Sequence, residues 1–356
     1  MIELTKQPIF FNRNQVYRVY KGGYLYGEFI GEPQEDGNFP EEWIASTVHA
    51  ANNSESGPLD GLSIIEGTDI TLKELGEKFT KEMYGNRTEL GVLVKYLDSA
   101  IRLPLQAHPD VAYSQKYFNS EHGKTEMWLI LDTREDASIC FGFKDKLTKE
   151  EFSELVERSK DEKQIMEDYI NKVPVKVGEV YLVPAKSVHA IGAGCFMLEV
   201  QEPTDFTISP EYWCGDYILN AHEMYMGLSK DAALDCFDFS VCGEESINIA
   251  KKTPQIKSEN ENVKCESLIS NEDTPYFSVN RYQVKKEVTL TDGTAIYIVT
   301  SGAGSITGEN YNRELKKGDY FFLPYYAKNK FKVIAKNDLD GLDDLELIEC
   351  LPPEVK

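Results

Sequence analysis

Short runs rich in Val, Ile, Tyr and Phe, set apart by Gly, Asp and Asn, dominate the hydrophobic pattern of this chain. "VYRVYKGG" (16–23), "VLVKYLDS" (92–99), "EMWLILDT" (126–133), "EVYLVPAK" (179–186) and "FMLEVQEP" (196–203) have strand length and strand composition. A sandwich or barrel is expected from such a series. Two stretches break the pattern. In 148–170, "TKEEFSELVERSKDEKQIMEDYI", Thr148 and Glu151 have capping-box spacing, and Phe152, Leu155 and Val156 share one helical face. A weaker helical stretch is "AHEMYMGLSKDAALDCF" (221–237), and the polar segment between 250 and 275 reads as a linker.

The chain repeats itself. Gly178, five residues, Pro184, four residues and His189 are echoed by Gly318, five residues, Pro324, four residues and Asn329. Upstream, "TEMWLIL" (125–131) is echoed by "TAIYIVT" (294–300). The echo implies two related β-modules, the first stretched by the inserted helix. Its mismatches are informative, because Glu126 is replaced by Ala295 and His189 by Asn329. Residues able to bind a metal are present in one copy and absent from the other.

"LPLQAHPD" (103–110) adds two more such residues, reading as a buried strand with Gln106 and His108 on one face. Buried polar tips need partners, and a metal ion would satisfy both, as would a water and a carbonyl. Gln106, His108, Glu126 and His189 together offer two imidazoles, a carboxylate and an amide oxygen. That donor set suits zinc and, less selectively, other divalent first-row ions.

Composition narrows the function classes. With 356 residues, of which 41% are hydrophobic, the chain is long enough for one large or two medium domains with a substantial core. A net charge of −22 argues against nucleic acid or an anionic membrane as partner. No apolar run approaches the roughly 20 residues of a membrane span, and the first residues, "MIELTKQPIF", do not read as a signal peptide. The seven cysteines are scattered and never spaced as CxxC, which suits reduced thiols and a cytoplasmic location.

The Gly-x5-Pro-x4-His run is the second half of the cupin signature, with Lys186 where many cupins have glycine. "LQAHPD", "HGKTEMWLIL", "VPAKSVHAIGAG" and "LEVQEPTD", in this order, with "EEWIAS" near the start, resemble the class I mannose-6-phosphate isomerases. The resemblance covers most of the chain. It implies a mainly β fold of two cupin-type jelly-roll modules with a small α-helical insertion. The expected division is 1–147 with 172–210 as the metal-binding module, 148–171 with 216–238 as the helical insertion, and 260–356 as a metal-free module.

The resemblance further implies one zinc ion on Gln106, His108, Glu126 and His189, and a small-molecule sugar phosphate as substrate. The implied reaction interconverts mannose 6-phosphate and fructose 6-phosphate through an enediolate. Lys124, two residues before Glu126, is the candidate proton carrier, and Lys95 a candidate on the phosphate side of the pocket. Two positions depart from the family. Ser209 stands where it carries an arginine and Pro104 where it carries a serine, both groups that favour negative charge. Arg102 and Arg134 are candidates for the missing cation. Asp205, His122 and His222 are further polar candidates, each with an ordinary structural or surface explanation. The alternative is a metal-binding cupin that binds carbohydrate without turnover, or acts on a different sugar.

Overall fold

The computed structural model describes residues 1–52, 57–336 and 344–355. Its two halves repeat one arrangement of strands. In the first, a large sheet runs in the spatial order Gln15–Val16, Glu41–Ile44, Leu93–Ser99, Cys195–Gln201, Glu126–Thr133, Val180–Val183 and Lys251–Lys252. A smaller sheet of Ile170–Pro174, Ser138–Phe143 and His189–Ile191 closes the sandwich. In the second, the order is Gln255–Glu259, Val263–Ile269, Ser278–Val284, Leu345–Leu351, Ala295–Ser301 and Tyr320–Leu323. Its smaller sheet comprises Glu287–Thr289, Lys332–Ala335, Ala303–Gly308 and Tyr311–Lys316. The fold is mainly β, two jelly rolls with helices inserted in the first. Positions 337–343 and 356 of the expected second module lie outside the described residues.

Strand alternation explains why so many runs are apolar throughout. On Glu126–Thr133, Trp128 and Ile130 face the interior of the first module, while Met127 and Leu129 face the second. On Ala295–Ser301, Ala295, Tyr297 and Val299 point inward, and Ile296 and Ile298 meet Met127, Leu129, Phe196 and Leu198. The two large sheets thus lie back to back, each covered on both faces, which removes the polar-out alternation of a solvated sheet.

The inserted helix Lys149–Arg158 carries the expected reciprocal cap between Thr148 and Glu151 and buries Phe152, Leu155 and Val156. It is shorter than the periodic stretch, since the polar run after Arg158 offers no apolar face. A 3-10 turn, Ile165–Asp168, follows. The second helical stretch divides into Ala221–Tyr225 and Lys230–Leu234, broken where Met226 and Gly227 adopt left-handed φ of 51° and 81°.

Three expectations are corrected. The segment read as a linker holds the strands Lys251–Lys252, Gln255–Glu259 and Val263–Ile269. Every residue of Gln255–Glu259 is exposed, so this edge strand has no apolar face to announce it. Of the run "VYRVYKGG" only Val16 belongs to a strand, Gln15–Val16. Residues 103–110 form no continuous strand, but isolated bridges of Gln106 to His189 and Ala107 to Ile208 keep them extended beside the sheet.

Candidate metal centre and cleft

Main-chain geometry brings the candidate ligands together from three places. Gln106 and His189 exchange both of their N–H to carbonyl hydrogen bonds, at 2.8 and 2.9 Å. His108 is tied down when its carbonyl accepts from the Lys186 amide at 2.7 Å. Lys186 sits at φ 70°, the left-handed conformation for which many cupins use glycine at this turn. Glu126 opens the central strand and pairs with Val183 and Gln201.

The side chains then converge. His108 Nε2 lies 3.1 Å and His189 Nε2 3.2 Å from Glu126 Oε1. The two Nε2 atoms are 3.2 Å apart, and the Gln106 carboxamide comes within 3.3 Å of His189 Nε2. Donors around a tetrahedral zinc at about 2.0–2.1 Å are separated by roughly 3.3–3.4 Å, so these spacings match the edges of such a site. The outer nitrogens agree. His108 Nδ1 faces the Phe206 carbonyl and His189 Nδ1 the Ser187 carbonyl, each at 2.9 Å. A carbonyl demands the proton on Nδ1, which leaves both Nε2 lone pairs aimed at one point. A half-turn of the carboxamide adds the Gln106 oxygen. His108, Glu126 and His189 are all buried and can hold a divalent metal.

Electrostatics prepares the donors. Burial, aided by the Lys124 ammonium, pushes His108 down to about 3, so its imidazole is neutral. Burial would raise the Glu126 carboxyl, but the adjacent Lys124 ammonium works against it, and the group is held well below the usual range. Burial lowers Lys124, with Glu126 working against the shift. Its Nζ lies 3.4 Å from Thr207 Oγ1 and 3.9 Å from Glu126 Oε2.

A cavity of about 790 Å³ opens over this centre, lined among others by Gln106, Lys124, Glu126, Lys95 and Glu199. Lys95 is not an exposed strand lysine: it is 3% exposed, with Nζ 3.3 Å from Glu199 Oε1 and 3.7 Å from Glu41 Oε2. Burial disfavours its charge, but Glu199 and Glu41 outweigh that and hold it above its ordinary value. Burial, then the neighbouring Glu126, push Glu199 well up.

Pro104, Asp205, Ser209 and His222 also line the cavity. Arg102 and Arg134 do not. Arg102 is held by Glu211 at 2.6 Å and by Glu167, and Arg134 is held by Asp36 and Asp98. His122 is engaged by Glu89. The arginine that the cleft does contain is Arg18, which donates to Glu41 at 3.0 Å, Asn52 at 2.7 Å and Asp205 at 3.1 Å. Arg18, Glu41 and Glu199 were missed as candidates. The one available signal was a lone charge inside an apolar run, present for Arg18 in "VYRVY" (16–20) and for Glu199 in "FMLEV" (196–200).

Fold and site together define a bicupin with, among the described residues, one candidate metal centre, in its first module. Residues 269–337 match the cupin domain of mannose-6-phosphate isomerase. The mannose-6-phosphate isomerase ManA of Bacillus subtilis is 28% identical over 331 residues, covering 90% of this chain and 94% of the relative. The mannose-6-phosphate isomerase of Streptococcus mutans is 28% identical over 357 residues, 96% and 97% of the two chains. A crystal structure of the Bacillus subtilis mannose 6-phosphate isomerase superposes with a TM-score of 0.75 at 24% identity, over 96% of this chain and 99% of that one. The chain is thus similar over most of its length to mannose-6-phosphate isomerases, and shares their fold. No helix among the described residues is long and apolar enough to cross a membrane.

Proposed function

We propose that the protein is a zinc-dependent aldose–ketose isomerase that interconverts mannose 6-phosphate and fructose 6-phosphate. The observation that carries this reading is the convergence of Gln106, His108, Glu126 and His189 on one another, beside a cavity that Gln106, Glu126 and Lys124 line. In this reading the metal belongs to 1–147 with 172–210, the helices of 148–171 and 216–238 flank it, and 260–356 is a metal-free support.

Bound zinc would polarise the substrate oxygens as a Lewis acid. The chain supplies the rest. Lys124, its charge disfavoured by burial, takes the C2 proton of the open-chain aldose and returns a proton to C1. Glu199 stands beside Glu126 and Lys95, where it exchanges the matching proton between O1 and O2. Lys95 bears on the enediolate oxygens and, with Arg18, on the polar end of the sugar phosphate.

One observation favours the second reading, a carbohydrate-binding cupin without turnover or with a different sugar. Arg18, Lys95 and Lys124 each face a carboxylate already, and Ser209 and Pro104 contribute no positive charge. A coupled assay for fructose 6-phosphate, on zinc-loaded protein, separates the two. Turnover that disappears on chelation and returns with zinc is expected. Fully metal-loaded protein with no turnover of any sugar phosphate would leave the second reading.

A further inference from the structure

We infer that Glu202 is a positioning residue that fixes Lys124 for proton transfer, an inference that rests on the isomerase reading above. Lys124 needs outside help to stay in place. Its Nζ has contacts of only 3.4 Å to Thr207 and 3.9 Å to Glu126, so the main chain beneath it sets where the amine points.

That main chain is clamped from both sides of the lysine by one carboxylate. Glu202 follows the strand Cys195–Gln201, and its N–H donates to the Thr125 carbonyl at 3.1 Å. Its carboxylate then turns back. Oε1 accepts the Gly123 amide at 2.9 Å and Oε2 accepts the Thr125 amide at 2.8 Å, one on each side of the lysine. Between them the Lys124 amide points the other way and donates to the Pro109 carbonyl at 2.9 Å, one residue past His108. Thr204 Oγ1 donates to the Gly123 carbonyl at 2.7 Å. Only glycine fits at 123, since a Cβ there would come 2.6 Å from the Pro109 oxygen.

Glu202 itself is 1% exposed and does not line the cleft, so it has no access to substrate. Its two oxygens satisfy two amides of alternate residues at once, by charge-assisted hydrogen bonds. A carboxamide of the same shape has a single acceptor and would turn an NH2 against the other amide. The turn would shift while the packing stayed filled. Proton transfer is sensitive to that shift, because a misplacement of about 1 Å lowers rates by about 100-fold.

The test is Glu202→Gln in the zinc-loaded enzyme, with Thr204→Val as a milder change to the same turn. For Glu202→Gln, kcat on mannose 6-phosphate should fall by about 10- to 100-fold. KM should stay within about threefold, since substrate binding is unaltered, and the zinc content should be unchanged. Amide hydrogen exchange at 123–125 should accelerate. Thr204→Val should show the same split, smaller. An unaltered kcat in Glu202→Gln, or joint loss of kcat, KM and zinc in both variants, would overturn the inference. If the wild-type protein turns over no sugar phosphate, the isomerase reading fails by itself. Exchange at 123–125 and the acylation rate of the Lys124 amine then decide about Glu202: faster in Glu202→Gln supports the clamp, unchanged refutes it.

Discussion

The two jelly rolls hold a glutamate at the same place and use it in opposite ways. In the first, Glu199 pairs across the sheet with Trp128 on one side and Lys95 on the other. In the second, Glu349 pairs with Tyr297 and Asn280 in the same register. Glu199 faces a cation and an open cleft. Glu349 is closed in by Tyr297 at 2.7 Å, Asn280 at 2.8 Å and Tyr282 at 3.0 Å. The candidate ligand positions diverge with it. Leu290 accepts from the Asn329 amide where Gln106 accepts from that of His189, and Ala295 replaces Glu126. Asn329 is exposed at φ 62°, a turn residue, where His189 is fully buried. The difference teaches that the scaffold alone does not make a candidate metal centre. It needs convergent donors and an interior left open.

The largest effect should come from removing a donor. His189→Ala should lose zinc by elemental analysis and lower isomerase activity on the order of 10³-fold, the several kcal/mol that a Lewis acid supplies. Asn329→Ala should change neither. Retention of zinc by the first variant, or its loss from the second, would break the contrast between the modules.

Much of that contrast was legible in the sequence, for a physical reason. Donors on neighbouring strands sit at fixed spacing from the turns that close them, so Gly178, Pro184 and His189 recur as Gly318, Pro324 and Asn329. The alternation that puts Glu126 and Trp128 on one face also survives in any register. The rest had no local spacing to betray it. Arg18 meets Asp205 across 187 residues, and Glu202 meets Thr125 across 77. Arg102 and Arg134 were attractive as unassigned cations, but the buried Glu211 and Asp98 that claim them come from distant segments. The strand Gln255–Glu259 stayed hidden because it buries nothing.

A second, intermediate effect would come from grafting the missing donors onto the silent module. Ala295→Glu with Asn329→His restores two of the ligands in sequence, but Ala295 is fully buried beside Tyr297 and Leu323. No second zinc should bind. The new carboxylate would be buried without a cation, which destabilises by about 3–5 kcal/mol. The urea midpoint of the metal-loaded protein reads this directly. A second equivalent of zinc, with stability unchanged, would mean that the donors suffice and that the open interior is irrelevant.

The smallest effect concerns the pH response of Glu349. Burial raises its carboxyl above the usual value despite the hydroxyl and amide donors around it, so the fold prefers the protonated acid. The unfolded chain, with an ordinary carboxyl near 4.3, gives up that proton first as pH rises. The stabilisation is therefore complete below the unfolded value and is lost as pH climbs through the folded one. Glu349→Gln keeps the shape and removes the titration. At pH 5 the variant and the wild-type protein should unfold at nearly the same urea concentration. At pH 8 the variant should have gained stability relative to the wild type, whose folded state has then lost the advantage of the retained proton. A difference that stays constant between the two pH values would mean that the tyrosine and asparagine donors stabilise the carboxylate after all. The second glutamate would then be an ionised one like Glu126, and the two interiors less different than their geometry indicates.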